Sequence, residues 1–158
     1  MNTGWIIFCV ILVAAAAVFL AGALYVICSP MFVVRRLRAI REVLVNPPGY
    51  EEEEKKVSVK KDLRYPSEYP QNTWDLYLPK DEKNVPWPLV LWVHGGGFVG
   101  GDKYGVSNIC VLLAAKGYAV ASMNYAWAPE NVFPVQIRQI GEALTEIVKL
   151  EQVDRSRG

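Results

Sequence analysis

The residues best suited to chemistry in this chain lie in one run, HGGGFVGGDK, from His94 to Lys103. Five of the seven positions after His94 are glycine. Glycine loses more backbone entropy on folding than any other residue, so such density needs a reason. Three uses are compatible with it: cradling a phosphate, holding a charged intermediate with main-chain N–H groups, or turning a corner.

Gly95 to Gly100 satisfies G-x-G-x-x-G, the dinucleotide pattern, directly after an apolar run. That use also needs an acidic residue about 20 positions on, to hold a ribose hydroxyl. Here the next strand ends in Met123-Asn124-Tyr125, with no acid until Glu130. The loop also lacks G-K-[ST] and so is no P-loop. Nucleotide is therefore not expected, and a net charge of +1 gives no reason to expect nucleic acid.

Acyl transfer fits better. There a carbonyl oxygen becomes an oxyanion, which preorganised backbone N–H groups stabilise in a dry site. A side chain would block that approach, so glycines belong where the loop faces the substrate. A His-Gly-Gly-Gly loop after the third strand is how lipases and esterases of the α/β-hydrolase fold supply part of this hole.

HGGGFVGGD from His94, NYAWAPE from Asn124 to Glu130, and Phe133-Pro134 together resemble the hormone-sensitive-lipase-like esterases. That family carries a His-Gly-Gly-Gly loop and, one strand later, Tyr-Arg-Leu-Ala-Pro-Glu followed by Phe-Pro. The resemblance runs from about Lys56 to the C-terminus and departs at Ala126-Trp127, where the family has Arg-Leu. It implies that Gly96 and Gly97 donate N–H groups to an oxyanion and that His94 and Gly95 support the loop. His94 is expected as a buried ring held by backbone, not as a base. Asp102 is expected to cap the following helix, and Tyr125, Pro129 and Glu130 to shape the loop after their strand. An ester substrate is implied, and neither a metal nor an organic cofactor.

The rest of the catalytic apparatus is not found in these residues. The fold's nucleophile is a serine in G-x-S-x-G, followed in the chain by an acid and then a histidine. Ser29, Ser58, Ser67, Ser107, Ser122 and Ser156 all lack the flanking glycines, and His94 is the one histidine. The expectation is thus the N-terminal half of an ester hydrolase, inactive and poorly stable by itself. In the family's strand order the fifth strand would be absent, leaving LVLWV (Leu89 to Val93) as an exposed apolar edge. Two other readings remain: a membrane-tethered scaffold that has lost catalysis, and a half-enzyme complemented by a second chain.

The elements that must position the loop follow from patterning. Trp5 to Cys28 contains no charge and, as a helix, spans about 36 Å, enough to cross a bilayer. Trp5 and Tyr25 near its ends suit the interfaces. Ala21-Gly22-Ala23 resembles a cleavage site, but it lies inside the apolar run, and Met1 to Gly4 has no Lys or Arg. An uncleaved single-pass anchor is expected, with the lipid bilayer as partner. Arg35, Arg36, Arg38 and Arg41 follow it closely, which places the C-terminal part in the cytoplasm, an extracytoplasmic location being the alternative. Cys9 and Cys28 lie in the apolar run and only Cys110 beyond it, so no disulfide framework is expected.

Residues 29–45 read as a juxtamembrane amphipathic helix, with Val34, Leu37, Ile40 and Leu44 at helical spacing. Residues 46–55, broken by Pro47, Pro48 and Gly49 and then acidic, read as a linker. Residues 56–158 form the truncated α/β domain. KVSVKKDLRY and TWDLYLP alternate as an antiparallel pair of strands. Leu89 to Val93 reads as a strand buried on both faces. A helix over Val106 to Lys116 stops at Gly117, YAVASMNY is another strand, and Val135 to Leu150 is a helix with Ile137, Ile140, Leu144 and Ile147 on one face. Strands followed by helices predict an α/β fold with a largely parallel sheet after the first pair.

Overall fold

A computed structural model describes residues 2–40, 43–81 and 85–156. The chain divides into two units, Met1–Ile40 and Arg41–Gly158.

In the first unit, α1 (Thr3–Cys28) is a 26-residue helix with no buried residue. Its length and apolarity are those shared by membrane anchors and secretory signal sequences. Ser29 leaves helical geometry, and α2 (Pro30–Ala39) restarts with proline in its first turn, where a missing N–H costs nothing. Arg36 lies over the Phe32 ring, 5.3 Å from its centroid. The helix expected to reach Val45 ends here, because Ile40 is already extended (φ −70°, ψ 118°). Leu44 lies outside any helix, and Arg41 lies outside the described residues.

The second unit starts with α3 (Tyr50–Glu54), entered through Gly49 at φ 82°. The acidic run read as a linker is this helix. Tyr50 is buried in a cluster with Val57, Tyr77, Cys110 and Val111, and Lys55 and Lys56 pair with Glu52 and Glu53. One aromatic side chain thus attaches the segment to the core, which charge counting does not show.

A mixed five-stranded sheet follows: β1 (Val57–Arg64), β2 (Thr73–Pro79), β3 (Trp87–Val93), β4 (Ala119–Met123) and β5 (Val153–Asp154), in the order β1-β2-β4-β3-β5. β1–β2 and β2–β4 are antiparallel, while β3 pairs in parallel with β4 and β5. Half of the pairings are antiparallel, so the sheet is less parallel than its strand–helix alternation suggests. β5 corrects the expected absence of a fifth strand: it pairs with Trp87 and Pro88 and leaves Leu89 to Val93 as an edge. That stretch packs against a core cluster on each face but is only half-buried, because beyond Pro88 it is paired along one edge only.

Period-two alternation divides the side chains between two cores. Trp74, Leu76, Leu78, Ala119, Ala121 and Met123 meet α5 (Val135–Ile147) through Ala143 and Ile147. On the other face Tyr77 and Val120 meet α4 (Ser107–Ala115) through Cys110, Val111 and Ala114. A 3₁₀ turn, Lys103–Val106, precedes α4, and Gly117 at φ 97° closes it. The buried face of α5 differs in part from the one its isoleucines suggest. Ile147 is buried and Ile140 packs against the core as expected, but Gln136, Gln139 and Ala143 complete that face, whereas Ile137 and Leu144 are exposed.

Candidate active site

The glycine run leaves the carboxyl end of β3, where ligands bind in open α/β sheets. His94 is buried, while Gly95 to Phe98 is exposed. Gly96, Gly97 and Phe98 all have positive φ (129°, 59° and 63°), and Val99 N–H closes a turn onto the Gly96 carbonyl at 3.1 Å. Two glycines are needed for space as well. A Cβ on Gly96 would collide with the Gly100 carbonyl, and one on Gly101 with the Gly95 carbonyl and the His94 ring. The loop therefore folds back over His94.

His94 is held from three sides. Its Nδ1–H donates to the Gly95 carbonyl (2.6 Å), and its ring stacks on Tyr125 at 4.5 Å and 13°. The Tyr125 hydroxyl donates to the His94 carbonyl at 3.0 Å. Burial raises the Tyr125 pKa, so the hydroxyl keeps its proton and remains a donor. Phe98 meets the same Tyr125 ring edge-on at 6.0 Å, and its carbonyl accepts from Ala128 N–H at 2.8 Å. The two sequence motifs, HGGGFVGGD and NYAWAPE, thus form one structural unit through Tyr125 and Ala128.

Asp102 accepts from Tyr104 N–H (2.8 Å) at the start of the 3₁₀ turn, and from Asn124 Nδ2 (3.0 Å). Glu130 and Pro129 lie in the loop between β4 and α5. Sequence reading missed how that loop is held. Gln139 Oε1 accepts from Ala126 N–H (2.6 Å), and Gln136 Nε2 donates to the Ala126 carbonyl (2.9 Å). The two glutamines are three apart on α5, hence on one face. Their signal in the sequence was weak, because glutamine on a surface helix is ordinary.

A second missed feature is a buried ion pair under the loop's exit, Lys103 with Asp75, joined by the exposed Asp62. Lys103 Nζ reaches Asp75 at 2.6 Å and Asp62 at 2.9 Å. Burial alone would lower the Lys103 pKa; the two carboxylates outweigh it and raise it, and Lys103 in turn lowers that of Asp62. One hint was readable. A lysine in the first turn of a helix opposes the helix dipole, so a partner elsewhere was to be expected. Among the described residues no three His, Cys, Asp or Glu side chains group as metal ligands would. Cys110 is fully buried, and burial pushes its thiol up to about 12, which makes it inert at neutral pH.

Residues 74–151 match the family described as BD-FAE. Among solved structures, esterase B from Lactobacillus rhamnosis is 28% identical with a TM-score of 0.57, the match covering 92% of this chain and 42% of that one. The esterase of Pyrobaculum calidifontis is 26% identical with a TM-score of 0.55, over 68% of this chain and 36% of its own. Tuliposide A-converting enzyme b1 of Tulipa gesneriana is 42% identical over 66 residues, 37% of this chain and 17% of that enzyme. The chain thus spans less than half the length of these relatives. It carries part of an α/β-hydrolase-like fold and resembles carboxylesterase-like hydrolases.

Proposed function

We propose that these residues supply the oxyanion-holding part of a serine carboxylic-ester hydrolase, within the hormone-sensitive-lipase-like group by its HGGG and NYAWAPE motifs. The carrying observation is the glycine loop. Its main chain is exposed from Gly95 to Phe98, at the carboxyl end of β3, and is turned by consecutive positive φ angles. In this reading a serine attacks the ester carbonyl and a histidine takes its proton. Gly96 and Gly97 donate N–H groups to the oxygen as it becomes negative, while His94 and Tyr125 hold the loop from below.

No G-x-S-x-G occurs in the 158 residues and His94 is committed beneath the loop, so the serine and the base come from outside them. The 158-residue polypeptide by itself is inactive in this reading. Fluorophosphonate labelling tests both halves of it. The recombinant chain stays unlabelled. In source membranes, a labelled protein or complex contains the tryptic peptide Tyr104–Lys116, YGVSNICVLLAAK. Labelling of the recombinant chain, or absence of that peptide from every labelled species, would sink the proposal.

We read α1 as a single-pass anchor on its length and lack of charge, and α2 as a helix at the lipid surface. Val33 and Leu37 lie on one side of α2, with Arg35, Arg36 and Arg38 on the other. The arginines suit anionic headgroups and favour a cytoplasmic location for the second unit. Alkaline carbonate extraction of source membranes should leave the protein in the pellet with residues 5–28 intact. Release into the supernatant, or cleavage near Ala23, would remove the anchor.

A further inference from the structure

We propose that Lys103, clasped by Asp75 and Asp62, is a positioning residue that sets the geometry of the Gly96–Gly97 main chain from the downstream end of the loop. The inference rests on the acyl-transfer reading for the use of those amides, but its structural content stands apart from that reading.

A loop holds its amides in place only if both ends are fixed. The upstream end is β3 and the stacked His94. The downstream end turns at Gly100, Gly101 and Asp102; Asp102 is held by Asn124 Nδ2 and Tyr104 N–H, and the ties to β1 and β2 all run through Lys103. Lys103 N–H donates to Asn124 Oδ1 at 2.7 Å, and the Lys103 carbonyl accepts from Ser122 Oγ at 3.0 Å. Both bonds fasten it to β4 and the residue after it. Its side chain then crosses to β2 and β1, donating to Asp75 Oδ1 (2.6 Å) and Asp62 Oδ1 (2.9 Å). One residue thus joins the loop's exit to three strands.

The charges are costly, which argues for a role beyond stability. Lys103 and Asp75 are 7% and 3% exposed. A desolvated ion pair is often no more stable than an apolar pair of the same shape. An apolar pair would, however, leave the direction of the loop's exit unspecified, since dispersion contacts have none and charge-assisted hydrogen bonds do. The backbone has also been bent to complete the clasp. Asp62 sits at φ 55° in the β1 bulge, and its N–H donates to the same Asp75 Oδ1 that Lys103 contacts. A bulge that re-aims one side chain next to a site is a recurrent device.

The test uses the full 158-residue chain in detergent micelles, labelled with ¹⁵N-glycine. The amide signals of Gly96 and Gly97 report loop geometry, and thermal unfolding reports global stability. In the double variant Lys103→Met/Asp75→Leu, these signals should shift or broaden while the unfolding midpoint and the Gly117 and Gly141 signals stay near wild type. Lys103→Arg, which keeps a charged fork for the two carboxylates, should bring them back towards wild type. Asp62→Asn, at an exposed side chain, should move the same two signals the same way by less, and decides the matter if the double variant does not fold. Gly96 and Gly97 signals that coincide with wild type in the double variant, or in Asp62→Asn, overturn the proposal. So does a change that merely tracks global unfolding. Failure of the acyl-transfer reading shows instead in the fluorophosphonate experiment and leaves these signals unaffected.

Discussion

β3 and β4 are neighbours in one sheet, and their sequences invert their fates. β3 reads WPLVLWV, the most apolar strand here, yet six of its seven residues are only half-buried. β4 reads AVASM, with small side chains and a serine, and all five residues are buried. Hydrophobicity did not decide this. β4 is flanked by β2 and β3 and covered by α4 and α5, whereas β3 beyond Pro88 has a hydrogen-bonded neighbour on one side. Burial is a property of position in the sheet, and small residues on β4 let both helices approach closely.

The largest test of the closed side is Lys103→Ala. It leaves Asp75 buried without its cation opposite Ser122 of β4 and should cost about 3–5 kcal/mol, read by chemical denaturation. A cost under about 1 kcal/mol would mean that the pair is better hydrated than its burial indicates.

Alkaline pH probes the same side. Burial raises the Cys110 thiol from 9.0 to about 12, so the protonated form is favoured in the folded state. Its contribution is therefore complete below pH 9.0 and is lost as pH rises towards 12, up to about 4 kcal/mol in all. Lys103, also raised, adds a loss of the same sign that begins above 10.5. Cys110→Ala should flatten the earlier part of that decline; an unchanged profile would show that the thiol is solvated.

Paired truncations compare the two strands directly. Met123→Ala on β4 should cost about 2–5 kcal/mol and Leu91→Ala on β3 about half as much, although leucine is the more hydrophobic residue. Equal costs would erase the comparison. The smallest effect is expected for Ile137→Lys, on the exposed side of α5, within about 0.5 kcal/mol in stability but with slower aggregation. A loss of several kcal/mol there would show that Ile137 is buried in solution.

Much of the architecture was legible locally. The charge-free run from Trp5 to Cys28 reads as a helix because it is too long and continuous for a strand. Alternation in TWDLYLP reads as a strand, and Gly117 as a helix stop because a left-handed residue is needed there. The glycine loop was legible because crowding leaves no room for a Cβ at Gly96 or Gly101. The short α3 was hidden, since one tyrosine among four glutamates decides its attachment.

What the sequence determined by itself is what depends on near neighbours: the helix of residues 3–28, strands β1 to β4, the caps and the presence of a His-Gly-Gly-Gly loop. Tertiary structure alone decided which side chains are covered and which charges meet. Gln136 and Gln139 became buried because Ala126, on another element, needed both a donor and an acceptor. Lys103 found Asp62 and Asp75, 41 and 28 residues away in the chain, only once four segments had folded together. Local propensity acts over a few residues, whereas desolvation and ion pairing depend on whatever the fold brings within a few ångströms, and no short stretch of sequence carries that information.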